Sequence, residues 1–388
     1  MKTNAKKALE LHKKLKGKIV VKSKIRKLRR SEIQLIYTPG VAAVCEAIYR
    51  NPEQKYNLTT KWNNVAIVTD GTRILGLGNI GPYAALPVME GKAVIYQEFG
   101  GVNAFPICLN TTKREEIVST IKAIEPVFGA INLEDIESPK VLEISDELER
   151  LLPIPVFHDD RHGTSVVVLA ALLNSLRLIK KDLSSLKIVI AGAGSAGYGI
   201  SKLLCAAGCR YLVVVDSDGA IFKGRRKNMN KYKKEIANST NPKKETGHLS
   251  DILRNSDVFI GVSGKKDLLT SKMIKEMNQD PIIFSLTNPD PEIKPDMAKG
   301  AGAKIVATGS YLYHNKVNNA LVFPHLMRVI LDTRAKKITT EMLIVTAKAI
   351  AKTLTDKELR YENILPDMFD KRIQRNLHRS LSNFQKRR

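Results

Sequence analysis

A chain of 388 residues is too long for one ordinary core and fits two domains of ordinary size, each able to bury substantial apolar surface. No apolar run approaches the ~20 residues needed to cross a bilayer, and the N-terminal MKTNAKKALELHKKLKGK has charges with no apolar signal region behind them, so the expectation is a cytoplasmic protein with no membrane partner. The net charge of +24 attracts nucleic acid, anionic lipid and acidic metabolites alike, but its basic runs, Lys13 to Arg30 and Lys371 to Arg388, lack aromatic interleaving or a nucleic-acid-binding motif and read as solvated surface.

In chain order, short β-branched runs alternate with segments of helical period: NNVAIVTD, IGPYAALPVMEGK, AVIYQEF, KREEIVSTIKAIE and GAINLED. That rhythm predicts an α/β fold. PIPVFHDDRHGTSVVVLAALLNSLRLIKKD then gives a short strand, a polar turn and a long apolar helix that links two halves, with a boundary at Arg161. The expected organisation is therefore a domain over residues 1–161 followed by a second over 162–388. In the second, LKIVIAGAG, YLVVVDSD, SDVFIGVSG, PIIFSLTNP and AKIVATGS read as buried parallel strands, while GRRKNMNKYKKEIANSTNPKKETGH reads as an exposed loop with one helix. Cys45, Cys108, Cys205 and Cys209 show no paired CxxC spacing; Cys205 and Cys209 sit four apart on a predicted helix, and all four read as free thiols.

After LKIVI, Gly192, Gly194 and Gly197 form G-x-G-x-x-G within AGAGSAGYG, and a helical segment follows. The first glycine allows a tight turn, the second lets backbone amides approach a pyrophosphate, and the third lets the helix pack on the strand. The helix N-terminus adds amides and partial positive charge, so Gly192, Ala193, Gly194, Ser195, Ala196 and Gly197 are candidate cofactor contacts. The next strand ends in Asp216, close to the ~20-residue spacing of an acid that accepts from the adenine ribose. An acid there favours NAD. Arg225, Arg226 and Lys227 just downstream are able to receive the extra phosphate of NADP, which leaves both dinucleotides in play.

Two acidic pairs sit at predicted strand ends: Glu134 and Asp135 in INLED, Asp159 and Asp160 in VFHDD. Carboxylates brought together repel unless a cation neutralises them or one stays protonated. Hard oxygen ligands suit Mg²⁺ or Mn²⁺; the competing reading is that these acids cap helices and turns. His158 and His162 flank the acids and stay outside the metal shell in this reading.

The motifs, taken together and in order, resemble the malic enzyme family in its short prokaryotic form: YTPGVA from Tyr37, TDGTRILGLGNIGPYAALPVMEGKA from Thr69, FPICLNT from Phe105, INLEDIE from Ile131, IPVFHDD from Ile154 and VNNALVFP from Val317. The resemblance implies a malic-enzyme-type N-terminal α/β domain followed by a Rossmann-type doubly wound parallel sheet. It implies that Tyr37 is the proton donor, Lys92 the proton acceptor, and Glu134, Asp135 and Asp160 the ligands of Mg²⁺ or Mn²⁺. It places Asn288 and Asn319 around substrate and nicotinamide, and Arg73 at a substrate carboxylate. The implied reaction is oxidative decarboxylation of malate to pyruvate with NAD or NADP, in a homodimer or larger homo-oligomer. For Lys92 to act as a base its pKa must fall from about 10.4, by burial or by adjacent positive charge such as Arg73 or the metal. Without these neighbours, Lys92 would read as a solvated helix-end residue and Tyr37 as a core aromatic.

The sequence departs from the family at Arg161, where a glutamine is usual beside the paired aspartates, so that a fixed charge either weakens cation binding or pairs with Asp159. His325 stands where the family has glycine, and GSYLYHNK replaces a more polar segment. Three rivals remain: a malolactic enzyme making lactate, an amino-acid dehydrogenase, which would not need the INLED and HDD acids, and a non-catalytic basic protein that binds nucleic acid.

Overall fold

The computed structural model describes residues 2–74, 76–310 and 312–386. Leu75 of the TDGTRILGLG motif, Tyr311 of GSYLYHNK, and Arg387 and Arg388 of the C-terminal basic run lie outside the described residues, as does Met1.

β1 (Asn64–Thr69), β2 (Asn103–Cys108), β3 (Ala130–Leu133) and β4 (Val156–His158) form a parallel sheet in the order β2-β1-β3-β4. Parallel strands need crossovers, which the helices Gly81–Gly100, Arg114–Ile124 and Lys140–Leu151 supply. The strands β1, β3 and β4 are buried throughout, as their unbroken apolar runs require, whereas β2 at the edge is half-buried.

AVIYQEF is not a strand. It continues the Gly81–Gly100 helix, because nothing in its sequence breaks the helix before Gly101, whose φ of +60° ends it. The strand in this region is NAFPIC, masked by Pro106, a residue that a sheet tolerates on an edge. Cys209 likewise falls beyond the end of the Ser195–Ala206 helix.

The second sheet contains β5 (Lys187–Ala191), β6 (Tyr211–Asp216), β7 (Gly219–Ala220), β8 (Val258–Gly261), β9 (Ile282–Ser285) and β10 (Ile305–Thr308) in the order β10-β9-β8-β5-β6-β7. All neighbours are parallel except β6 and β7. This is the doubly wound arrangement expected. The winding reverses beside β5, and the crevice at such a reversal is where dinucleotides bind.

The helix Thr164–Ile179 joins the two halves. With its leading turn, Asp159–Ile179 is apolar and long enough, at 21 residues, to cross a bilayer by composition, which corrects the reading that no run approaches that length. Its surroundings explain the composition: Val166 to Leu172 are all 0% exposed, in one core shared with β1, β5 and the C-terminal helices. Ser165, Asn174 and Ser175 are its buried polar residues, and Asn174 donates to the carbonyls of Ala351 at 3.0 Å and Ile364 at 2.9 Å. Asn174→Ala leaves both carbonyls unpaired and is expected to lower stability by about 2 kcal/mol or more, read as a lower urea midpoint with unchanged slope. An unchanged midpoint would show that these bonds do not hold the C-terminal segment.

Candidate active site

The C-terminal ends of β1, β3 and β4 open on the same side of the first sheet and deliver its acids there. In β3 the two-residue alternation puts Asn132 and Glu134 on one face. Asn132 Nδ2 donates to Glu134 Oε2 at 2.9 Å, and Tyr96, from the Gly81–Gly100 helix, donates its hydroxyl to Asn132 Oδ1 at 2.6 Å. β4 runs into a π-helical turn, Asp159–Gly163, that opens the long core helix. The Asp159 side chain does not cap that helix; its Oδ2 faces Lys92 and accepts from Asn319 Nδ2 at 2.9 Å.

Lys92 is the centre of this cluster. It is 7% exposed, with Nζ 2.8 Å from Glu134 Oε2, 3.0 Å from Asp159 Oδ2 and 4.0 Å from the centre of the Phe323 ring. A buried ammonium is retained only where opposite charge repays its desolvation. Burial by itself draws the Lys92 pKa down, but Asp159 and Glu134 together outweigh burial and push it up to about 12. The lowered pKa expected from sequence is thus not the state of this arrangement: the nearest charges are negative.

The carboxylates show the reverse strain. Burial pushes Glu134 well above the usual carboxylate range against the pull of Lys92, and Asp159 and Asp135 push it further. Asp135 rises to about 7, through burial first and the Asp160 charge second, with Asp159 adding and Lys92 and Arg73 opposing. Asp159 Oδ1 is buried without a partner. An excess of buried carboxylate oxygen over positive charge is what a divalent cation relieves, and oxygen donors of this kind fit Mg²⁺ or Mn²⁺. Among the described residues no three acidic, histidine or cysteine side chains already converge at ligand spacing, since Glu134 is turned to Lys92. His162 Nδ1 accepts from the His158 backbone at 3.2 Å and its pKa is held well below the usual range by burial, then by Arg161, as befits a structural residue.

Arg161 pairs with neither Asp159 nor the rest of this group. It points outward to Asp146 Oδ1 at 2.9 Å and Glu149 Oε1 at 3.7 Å, over the Tyr198 ring. Its backbone carbonyl would lie 2.1 Å from a Cβ on Gly199, so the helix after the glycine turn touches the acid-bearing turn directly. His325 is buried, its Nδ1 against Gln374 Oε1 at 2.9 Å.

Arg73 bridges the two halves. Its backbone N–H donates to the Asp135 carbonyl at 3.1 Å, while Nη1 lies 3.8 Å from where a Cβ on Gly194 would sit. Gly192, at φ +119°, passes so close to Val262 that a side chain there would meet backbone at 2.6 Å; a Cβ on Gly197 would lie 1.9 Å from the Gly192 carbonyl. Ser195 Oγ is buried and unpartnered at the start of the following helix. Asn288 is exposed beside Gly309, and the adjoining Pro289 packs on Gly76 of the first half. Asn319 bonds Asp159 and Thr164. Tyr37 stands apart: its ring is 70% exposed and it makes no hydrogen bond to the cluster.

The Asp216 carboxylate is already occupied. Arg225 Nη2 approaches its two oxygens at 2.8 and 2.9 Å, Lys233 Nζ lies at 2.7 Å, and the Asp218 N–H donates at 2.9 Å. The acid therefore organises two cations instead of presenting a free acceptor to a ribose, and the local charge is net positive.

Two family models match the chain: "Malic enzyme, N-terminal domain" over residues 14–149 and "Malic enzyme, NAD binding domain" over 162–374. The chain belongs to the malic enzyme family. Among its relatives, the bifunctional malic/malolactic enzyme of Bacillus subtilis is 49% identical over 94% of this chain and 89% of that protein, and the NAD-dependent malic enzyme of Geobacillus stearothermophilus is 49% identical over 92% and 74%. The crystal structure of the NAD-dependent malic enzyme of Thermotoga maritima superposes with a TM-score of 0.93 at 46% identity, covering 96% of this chain and 98% of that one.

Within this malic enzyme fold, sequence reasoning did not find Asp159 as the partner of Lys92, or Phe323 beneath it. The first was legible in principle, because Asp159 ends the same strand run as Asp160. The second was not, since no periodicity relates Phe323 to Lys92. Gly197→Ala is expected to weaken NAD binding by an order of magnitude or more, about 1.4 kcal/mol, measured by titration of the folded protein. An unchanged affinity would show that the turn does not carry the dinucleotide.

Proposed function

We propose that this chain oxidises (S)-malate and decarboxylates it to pyruvate and carbon dioxide, reducing NAD or NADP, with a domain over 1–161 holding substrate and metal and a domain over 162–388 holding the dinucleotide. The observation that carries the reading is Lys92, buried between Glu134 and Asp159 within a group of acids that Arg73 connects to the glycine turn. A dinucleotide held at the Gly192–Gly197 turn would supply the hydride acceptor, and a Mg²⁺ or Mn²⁺ held by Glu134, Asp135 and Asp160 would supply Lewis-acid polarisation of the substrate oxygens. Lys92 takes the hydroxyl proton, which requires that it first give up the one that Glu134 and Asp159 hold on it. Arg73 orients a substrate carboxylate, and Asn288 and Asn319 border substrate and nicotinamide. After the carbon–carbon bond to the leaving carboxylate breaks, Tyr37 protonates the enol carbon.

Tyr37 enters this scheme through a second copy of the chain. No described residue from 4 to 60 is buried, and Val20, Val21, Leu35, Tyr37 and Tyr49 are each at least 69% exposed. Large apolar side chains exposed in such number mark an interface, and in a two-fold dimer each chain gives the other what it receives. We infer a homodimer in which Tyr37 completes the site of its partner. Lys92→Ala and Tyr37→Phe should each cut turnover by ~10²-fold or more. Mixed in equal amounts after dissociation and reassociation, the two inactive variants should regain about a quarter of wild-type activity, the yield of hybrid dimers with one intact site. No recovery from verified hybrids would show that Tyr37 serves its own chain.

The reaction is tested by following absorbance at 340 nm with malate, with and without Mn²⁺, against NAD and NADP side by side. Reduced cofactor and pyruvate in equal amounts are expected, with loss on chelation. The Bacillus subtilis relative supports a second reading, and lactate without net reduced cofactor would establish it. Because Lys233 leaves the Asp216 site net positive, NADP should be accepted, and Lys233→Gln should raise KM for NADP more than for NAD. Equal changes for both would remove Lys233 from the 2′-phosphate.

A further inference from the structure

The helices Phe323–Asp332 and Arg372–Lys386 pack together and leave between them a cavity of about 540 Å³ open to the surface. Arg328, Asp332, Lys371, Gln374, Arg375, His378 and Arg379 line it. Ligand sites are typically ~300–1,000 Å³.

Its charge is not balanced. Asp332 is the one acid in the lining; it takes Arg328 Nη2 at 2.7 Å, with His378 Nε2 at 3.9 Å. Among the described residues Lys371, Arg375 and Arg379 have no ion-pair partner. The neighbouring Arg372 shows that acids are available nearby, for it is held by Glu358 and Asp370, each within 2.8 Å. Arg375 and Arg379 stand four apart on one face of the Arg372–Lys386 helix, where like charges destabilise it, and Lys371 immediately precedes its first residue.

Two of the lining residues carry a second sign. The Arg328 guanidinium lies over the Trp62 ring, donates to Asn63 Oδ1 and pairs with Asp332, yet its Nε is buried with no hydrogen-bond partner, and the Gln374 side-chain nitrogen is buried and unpartnered as well. Buried donors ordinarily find acceptors. Guanidinium groups in a cluster match phosphate oxygens, which accept several charge-assisted hydrogen bonds at once.

We propose that this cavity binds a small molecule bearing a chain of phosphates, at a site separate from the dinucleotide turn. The test is calorimetric titration of the full-length protein with inorganic tripolyphosphate and with ATP, at constant ionic strength and saturating NAD. One site per chain is expected for both probes; tighter binding of ATP assigns a nucleotide, equal binding a bare phosphate chain. Arg375→Ser/Arg379→Ser, which touches neither the acid cluster nor the glycine turn, should lose at least ~10-fold in affinity while malate turnover without added phosphate is unchanged. Lys6→Ser/Lys7→Ser removes the same charge from the N-terminal helix and should bind as wild type. Complete displacement by NAD, equal weakening in the two double variants, or tighter binding of citrate than of tripolyphosphate would overturn the proposal.

Discussion

The burial of one ammonium group organises this molecule. Lys92 sits at 7% exposure, and a charge removed from water to that degree persists only with carboxylates at contact distance. Glu134 and Asp159 meet that demand from two different strand ends, and they in turn need the support of Asn132, Tyr96 and Asn319. The sheet order β2-β1-β3-β4 is what sets β3 and β4 side by side so that both acids reach one nitrogen. Phe323 closes the other side with a ring face, which suits a cation without adding another acid.

Around that pair the acids are in surplus. The charge of Asp160 raises the proton affinity of the buried Asp135, and Asp159 keeps an unpartnered oxygen. The two halves of the molecule then approach each other through small residues and backbone: Arg161 against Gly199, Pro289 against Gly76, Arg73 against Gly194. Glycines at these seams let the halves approach this closely.

The strands and the glycine turn were legible because each depends on local sequence. Runs such as LVVV and IVAT are buried on both faces and advertise it, and Gly192, Gly194 and Gly197 lie in the one context that gives three glycines a joint purpose. The acids at strand ends were legible as a set. What was not legible depends on how distant segments meet. AVIYQEF satisfies strand and helix alike, and the missing breaker before Gly101 decides it. Asp216 read as a free acceptor because the loop that brings Arg225 and Lys233 back onto it has no periodic signature. Arg161 read as a neighbour of Asp159 by adjacency, yet the π turn carries its side chain outward to Asp146. Tyr37 could be recognised by its motif, but its exposure could not, since the segment that carries it has no core of its own to betray where it rests.

The turn at Asp159–Gly163 is continuous with the rod of residues that forms the spine of both halves. Asp160 is therefore fixed to the end of that spine, and Arg161 fastens the same point to the Lys140–Leu151 helix and the Tyr198 ring. Any hinge that widened the crevice at this seam would have to swing Asp160 with it. Opening of the crevice and displacement of that carboxylate would then be a single mechanical event.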